Sequence, residues 1–394
     1  MSRVKHRCRL QLPKLPRKID PRKAKGYRGY RGGRGPTPFW VWLALGAGFL
    51  ALMALEWSLC RAFPAVSAVC RGVAAFFARI VGFVCGILPF PVSEWLLVGL
   101  VLGWLAYFIL RAVNRDWSAV GRGLCKLVCM GCAAAFLFVF LYGAHHTAPS
   151  LAAQMGLTVE KYSVEQLANL MARTAEQANV LAPQVPRDEN GVCDFGPFRA
   201  MAADISDAYT ALSDEYAAFD RRQSGRVKRS LLGGRVMSWV DLAGYYCPWT
   251  AESVVSSDVV DSHIPFNIAH ETAHGLGIGP EAECNFAAWL ACKDHADPKI
   301  AYSGWLCAFV YANNALYAAD HQSWQAQYAG LSEQVRFDLK VLSDSLARFE
   351  NTRVNELGSR ANDALIKATG QPEGLRSYGR VVDLMLAYYS AENE

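Results

Sequence analysis

Charge is missing from one stretch of this chain, and acid from another. Phe39–Leu55 holds no Asp, Glu, Lys or Arg, and within residues 1–34 Asp20 is the only acid against 13 Lys and Arg. With its flanks, the uncharged run supplies the ~20 residues that cross a bilayer, which excludes a wholly soluble chain. The basic region before it is too long for a secretory leader, and no small-x-small cleavage site follows clearly, so a retained span is expected rather than a cleaved signal peptide. Two C-x-x-C pairs never occur together, which excludes the usual zinc site built from thiolates alone. No repeat of fixed period is present.

What is present is apolar: 52% of the 394 residues are hydrophobic and 11 are Trp. Two further runs, Val92–Leu110 and Leu127–Ala144, read as spans. The expected anchor occupies 38–146, with crossings near 39–59, 92–112 and 126–144. Arg71 and Arg79 interrupt the segment 62–90, which reads as an interfacial helix or re-entrant piece rather than a fourth crossing. Lys and Arg mark cytoplasmic loops. The arm 1–37 is strongly basic, and the loop between the second and third spans carries Arg111, Arg115, Arg122 and Lys126. Both therefore lie inside, the arm as a disordered tail against anionic lipid. Three crossings then put 147–394 outside the cell membrane. Residues 145–394 hold 20 Lys and Arg against 31 Asp and Glu, a balance that fits no nucleic-acid partner.

The fold class expected is mainly α: three transmembrane helices, then a mostly helical extracytoplasmic domain with a few short strands. Helical periodicity runs through "VEQLANLMARTAEQANVL" and "RAMAADISDAYTALSDEYAAF". Val, Trp, Tyr and Thr with turn residues make "RVMSWVDLAGYYCPWTAESVVSSDVV" extended or short strands. The outer region has five cysteines, Cys193, Cys247, Cys284, Cys292 and Cys307, an odd number that leaves at least one unpaired there. Cys284 and Cys292 read as packing thiols.

The stretch "FNIAHETAHGLGIGPEAECNF", residues 266–286, carries the chemistry. Residues four apart share a helix face, so His270 and His274 can offer nitrogens to one metal ion, with Glu271 beside a metal-bound water. Catalytic zinc needs a third protein ligand. A histidine at 280 would supply one, but position 280 is Pro. Gly275, Gly277 and Gly279 instead end the helix, and Pro280 suits the start of the next. Glu281 then faces back toward the histidines as the preferred ligand, with Glu283 as the alternate. Asn285, one turn on, can orient a ligand histidine. Zinc would bring a water toward a pKa of about 7, with Glu271 as general base. Tyr378 is the first candidate for a donor to the developing oxyanion, with Tyr245 and Tyr246 behind it. "YYCPWTAESVV" reads either as an edge strand that pairs with an extended peptide or as a structural hairpin.

Several of these motifs resemble an uncharacterised bacterial membrane protein family with a zincin-like domain of unknown function. "GYYCPWTAE" resembles its G-x-Y-x-P-[FW]-T-x-E stretch, and "IPFNIAHETAH" with "GPEAECNF" resembles its core. "ILPFPVSEWL" and "IKATGQPEGLRSYGRVVDLMLAYY" are similar as well, so the resemblance covers most of 60–390. Cys284 stands where that family usually has Ala. More distantly the Glu281–Asn285 spacing is similar to that of gluzincins. The resemblance implies a membrane-anchored zinc metallopeptidase acting on a peptide or protein of the cell envelope. The competing class is a non-catalytic envelope protein with a structural or binding zinc.

Overall fold

The apolar runs become four long helices in a computed structural model, which describes residues 37–219, 226–349 and 378–392, with isolated helical positions between 356 and 367. The expected disordered arm, 1–37, lies outside the described residues but for its last position. Helices α1 (Phe39–Ala62), α2 (Pro64–Gly86), α3 (Val92–Val113) and α4 (Trp117–Leu141) are each long and apolar enough to cross a membrane. The segment 62–90 thus holds a fourth helix of that length, where the charge pattern had suggested only three. Pro64 opens it, its fixed φ being suited to a first turn. The third expected span starts nearer 117 than 126. Asp116 caps α4 by accepting the Ala119 N–H at 3.0 Å, and the Lys126 ammonium sits 5.3 Å from the Trp42 ring centre. A cap and a contact with α1 thus accompany charges that had placed the start of the helix later.

α1 and α4 run parallel: Gly46 lies against Cys129 and Cys132, and Trp57 lies near Gly143. The tight α3–α4 turn puts those two helices antiparallel. α2 behaves differently. Its Ser67 hydroxyl is 2.6 Å from that of Thr147, just past α4, while near its other end Cys85 O accepts from Lys228 Nζ at 2.8 Å. The 18 helical steps from Ser67 to Cys85 span about 27 Å, so both ends of α2 touch the region that follows α4. Ser67, Ala74, Gly82 and Cys85 form its buried face, and Val69, Phe76, Ile80 and Phe83 are exposed.

The remaining chain is mostly helical: α5 (Leu151–Gln154), α6 (Val164–Leu181), α7 (Phe198–Glu215), α8 (Gly234–Trp239), α9 (Ile264–Gly275), α10 (Glu281–Lys293), α11 (Pro298–Ala319), α12 (His321–Ala329), α13 (Glu333–Ala347) and α14 (Tyr378–Glu392). Trp289 of α10, Tyr302 and Phe309 of α11 and Ile268 of α9 are fully buried and fix how these helices pack. A small sheet has the order β1-β3-β2, from β1 (Lys228–Arg229), β2 (Gly244–Cys247) and β3 (Glu252–Val255). β1 is parallel to β3 and β2 antiparallel, pairing Gly244 with Val255 and Cys247 with Glu252. "RVMSW" is helical, not extended. The N–H groups of Leu231, Leu232 and Gly233, which a strand would have to pair, donate instead to the Glu94 carboxylate at 2.9–3.3 Å.

Glu94 therefore ties α3 to the region that follows α4, and a second carboxylate answers it. Glu252 accepts from Val92 N–H at 2.9 Å and Ser93 N–H at 2.8 Å, and from Lys228 Nζ at 2.6 Å. Lys228 also donates to Phe90 O at 2.9 Å. Burial by itself would raise the Glu252 carboxyl; Lys228 and the two backbone donors outweigh it and hold it below its ordinary value. Both side chains are almost fully buried. Removing one partner of such a pair strands the other charge, at a cost of about 3–5 kcal/mol. Lys228→Met should therefore destabilise the detergent-solubilised protein by that order in denaturant unfolding. An unchanged midpoint would mean that the pair does not hold the sheet to α3.

Candidate metal centre

Helix α9 exists because Ile264, Phe266, Ile268, Ala269 and Ala273 bury one side of it, with Pro265 in the first turn. It stops where Gly277 takes φ +85°, a left-handed conformation costly for any residue with a Cβ. Ile278 N–H then reaches back to Ala273 O at 3.1 Å. Pro280 is the N-cap of α10, one position earlier than a first helical residue, and Glu281 opens the helix. The N-terminal ends of helices favour acids, and this one has Glu281 and Glu283 in its first turn.

The turn brings His270, His274 and Glu281 together, with one donor atom from each all within 4.8 Å of one another. His270 Nε2 is 3.2 Å from Glu281 Oε2, and His274 Nε2 is 3.5 Å from Glu281 Oε1. Burial opposes ionisation of Glu281, but the two imidazoles outweigh it and hold the carboxyl well below its usual range. Two neutral imidazole nitrogens and a carboxylate in this arrangement can hold a divalent cation. No fourth His, Cys, Asp or Glu completes the cluster among the described residues.

Each histidine is held by its far nitrogen. His270 Nδ1 is 2.8 Å from Asn285 Oδ1, the partner that the spacing had suggested. His274 Nδ1 is 2.6 Å from the Tyr142 hydroxyl oxygen, 3.1 Å from Ile278 O and 3.2 Å from Cys284 Sγ. Asn285 Oδ1 and Ile278 O can only accept, so Nδ1 of each ring carries a proton and donates to them. Tyr142 is the residue immediately after α4, 132 positions before His274, and no local spacing could have flagged it. Tyr246 and His146 pack on its ring at 5.6 and 5.4 Å.

Glu271 lies on the flank of this cluster and is 3% exposed, and its Oε2 finds no hydrogen-bond partner among the described residues. Burial pushes its carboxyl up to about 7, against the lowering pull of His270 and His274. Gly244 of β2 lies directly against it, and a Cβ there would collide with the carboxylate. Ser253 Oγ, from β3, donates to Glu271 O at 2.6 Å. The hairpin thus backs the helix at the residue next to the first histidine.

The other sequence candidates fall elsewhere. Glu283 points away from the cluster, accepting from the Leu151 backbone, and burial pushes it up to about 7. Tyr245 uses its hydroxyl on Ser93 Oγ at 3.0 Å, docking β2 to α3. Tyr378 begins α14 rather than lying in a loop; its side chain lies outside the described residues. Cys193, Cys247, Cys284, Cys292 and Cys307 are all free, and Cys284, fully buried, sits against His274.

The family model described as a protein of unknown function (DUF3810) matches residues 70–386. The chain belongs to that family. No characterised protein and no solved structure matches it. The match to DUF3810 begins within α2 and takes in α3, α4, the hairpin and the histidine cluster. Two stretches singled out in the sequence prove to be halves of one joint: "ILPFPVSEWL" supplies the N–H groups and Glu94, and "GYYCPWTAE" supplies Glu252.

Proposed function

We propose that this DUF3810 member is a membrane-anchored zinc metallopeptidase. The observation that carries the reading is the convergence of His270, His274 and Glu281 beside a buried Glu271 with one oxygen unpaired. Nitrogen and carboxylate donors at these separations suit zinc, and an acceptor behind each imidazole is the usual support of a ligand histidine. When bound, zinc supplies a Lewis acid that lowers the pKa of water toward about 7 and polarises a carbonyl. Glu271 takes the proton of the attacking water and delivers it to the leaving amine. Its carboxyl lies buried beside the histidines with Oε2 unpaired among the described residues, in place for both tasks. A shell of three protein ligands leaves a position for substrate, which a structural site does not. Tyr378, or Tyr246 from β2, donates to the oxyanion.

The anchor is proposed to cross three times, by α1, α3 and α4, with α2 flat along the domain-facing side. The two contacts of α2 beyond α4 support this, since a crossing helix would have one end on the far side. The basic arm and the α3–α4 turn then share the cytoplasmic face, and 147–394 is extracytoplasmic. The zincin-like domain would work at the bilayer edge. Tyr142, holding His274, directly follows α4, and Trp249, 44% exposed, lies 5.9 Å from Phe138 of that helix. Its substrates are peptide bonds of envelope proteins close to the membrane surface, with β2, at the end of the sheet, as the strand on which an extended segment pairs.

The test compares newly formed peptide termini in envelope membranes from cells carrying the wild type or Glu271→Gln. Termini that depend on the glutamate support the reading, and identical sets overturn it. A second expectation concerns the support of His274. Tyr142→Phe removes one acceptor from Nδ1, and zinc affinity should fall about tenfold, the lower end of what a lost outer partner costs. Competition against a chelator measures it, and an unaltered affinity would mean that Ile278 O suffices.

A further inference from the structure

We propose a second cation site, for zinc or another thiophilic divalent ion, formed by Glu56 and Cys60 of α1 and Cys70 of α2. One donor atom from each lies within 4.8 Å of the others. Donors around a tetrahedral zinc stand about 3.3–3.8 Å apart, so small side-chain rotations close the shell. Glu56 and Cys60 are four apart on one helix face. The single residue Phe63 between the helices folds α2 back so that Cys70 meets them. The two sulfurs lie within 4.8 Å of each other.

The independent sign is Glu56. Both its carboxylate oxygens are shut off from solvent, and neither has a hydrogen-bond partner among the described residues. A buried polar atom without a partner is rare, and an absent ion is one of its ordinary explanations. This carboxylate also lies two turns inside a helix long and apolar enough to cross a membrane, where an ionisable residue is costly unless neutralised. Charge closes the argument. Two thiolates and a carboxylate carry −3, and binding a divalent ion releases the two thiol protons. The ion and the guanidinium of Arg71, the residue after Cys70, then bring the cluster to zero. Thiolate donors select zinc-like ions over calcium or magnesium. The site is distinct from the His270 cluster and would stand if the peptidase reading fell.

Cobalt(II) is the probe, because thiolate ligation gives a near-ultraviolet charge-transfer band that histidine and carboxylate ligands do not. Full-length protein in detergent, reduced and stripped of metal, should develop this band, complete by two equivalents because the His270 cluster takes the other. His270→Ala should keep it, the Cys60→Ser and Cys70→Ser double variant should lose it, and Glu56→Gln should weaken the binding at least tenfold. Absence of the band in the wild type overturns the proposal, as does its persistence in the double variant. Alkylation mapping of the wild type guards against a variant that fails to fold. Zinc should protect Cys60 and Cys70 from iodoacetamide, and equal labelling with and without zinc overturns the site.

Discussion

Glu271→Gln should abolish peptide hydrolysis and leave the bound metal in place. The carboxylate is not one of the three converging donors, and its role rests on burial against Gly244 with Oε2 unpaired. A carboxamide has nearly the same shape, so it fits the same space, but it cannot take a proton. General base catalysis contributes about 10²–10⁴-fold, and the fall should appear in kcat with little change in KM. Elemental analysis of the same preparation separates the outcomes. Lost activity with full metal is expected, while unchanged turnover would remove Glu271 from the mechanism.

His270→Ala should empty the site. The imidazole is one of three donors among the described residues, and its loss leaves Asn285 Oδ1 without the ring it faces at 2.8 Å. Losing a ligand costs more than the ~10–100-fold that a missing outer partner costs, so the purified variant should lack the metal of this site. The neighbouring helices keep their cores, because His270 lies at the edge of the packed face rather than among Ile268, Ala269 and Ala273. Full metal content with His270 absent would refute the ligand assignment, whatever the activity.

Much of the candidate site was legible because it is local. His270 and His274 are four apart, and Pro280 with the glycines before it sends Glu281 back within a dozen residues. Asn285 follows one turn later. Helical periodicity and turn chemistry act over such distances, so a residue's face could be read from its neighbours. The choice between Glu281 and Glu283 also followed from helix phase. Legibility ended where contacts span the chain. Tyr142 reaches His274 across 132 positions, and Gly244 makes room for Glu271 from a strand. The apolar runs were legible, and Arg71 and Arg79 had set 62–90 apart from them; the sequence did not show the contact that each end of α2 makes beyond α4.

By itself, then, the order of residues determined what is written within a few helical turns: the apolar helices, the pairing of the two histidines, and the glycine turn that returns a carboxylate to them. The tertiary structure alone decided which distant groups close around those pieces: Glu252 on the first turn of α3, Tyr142 behind His274, and Cys70 beside Glu56. Backbone geometry repeats every few residues and so leaves a trace in sequence. A contact between distant segments leaves none until packing has excluded water and brought them together.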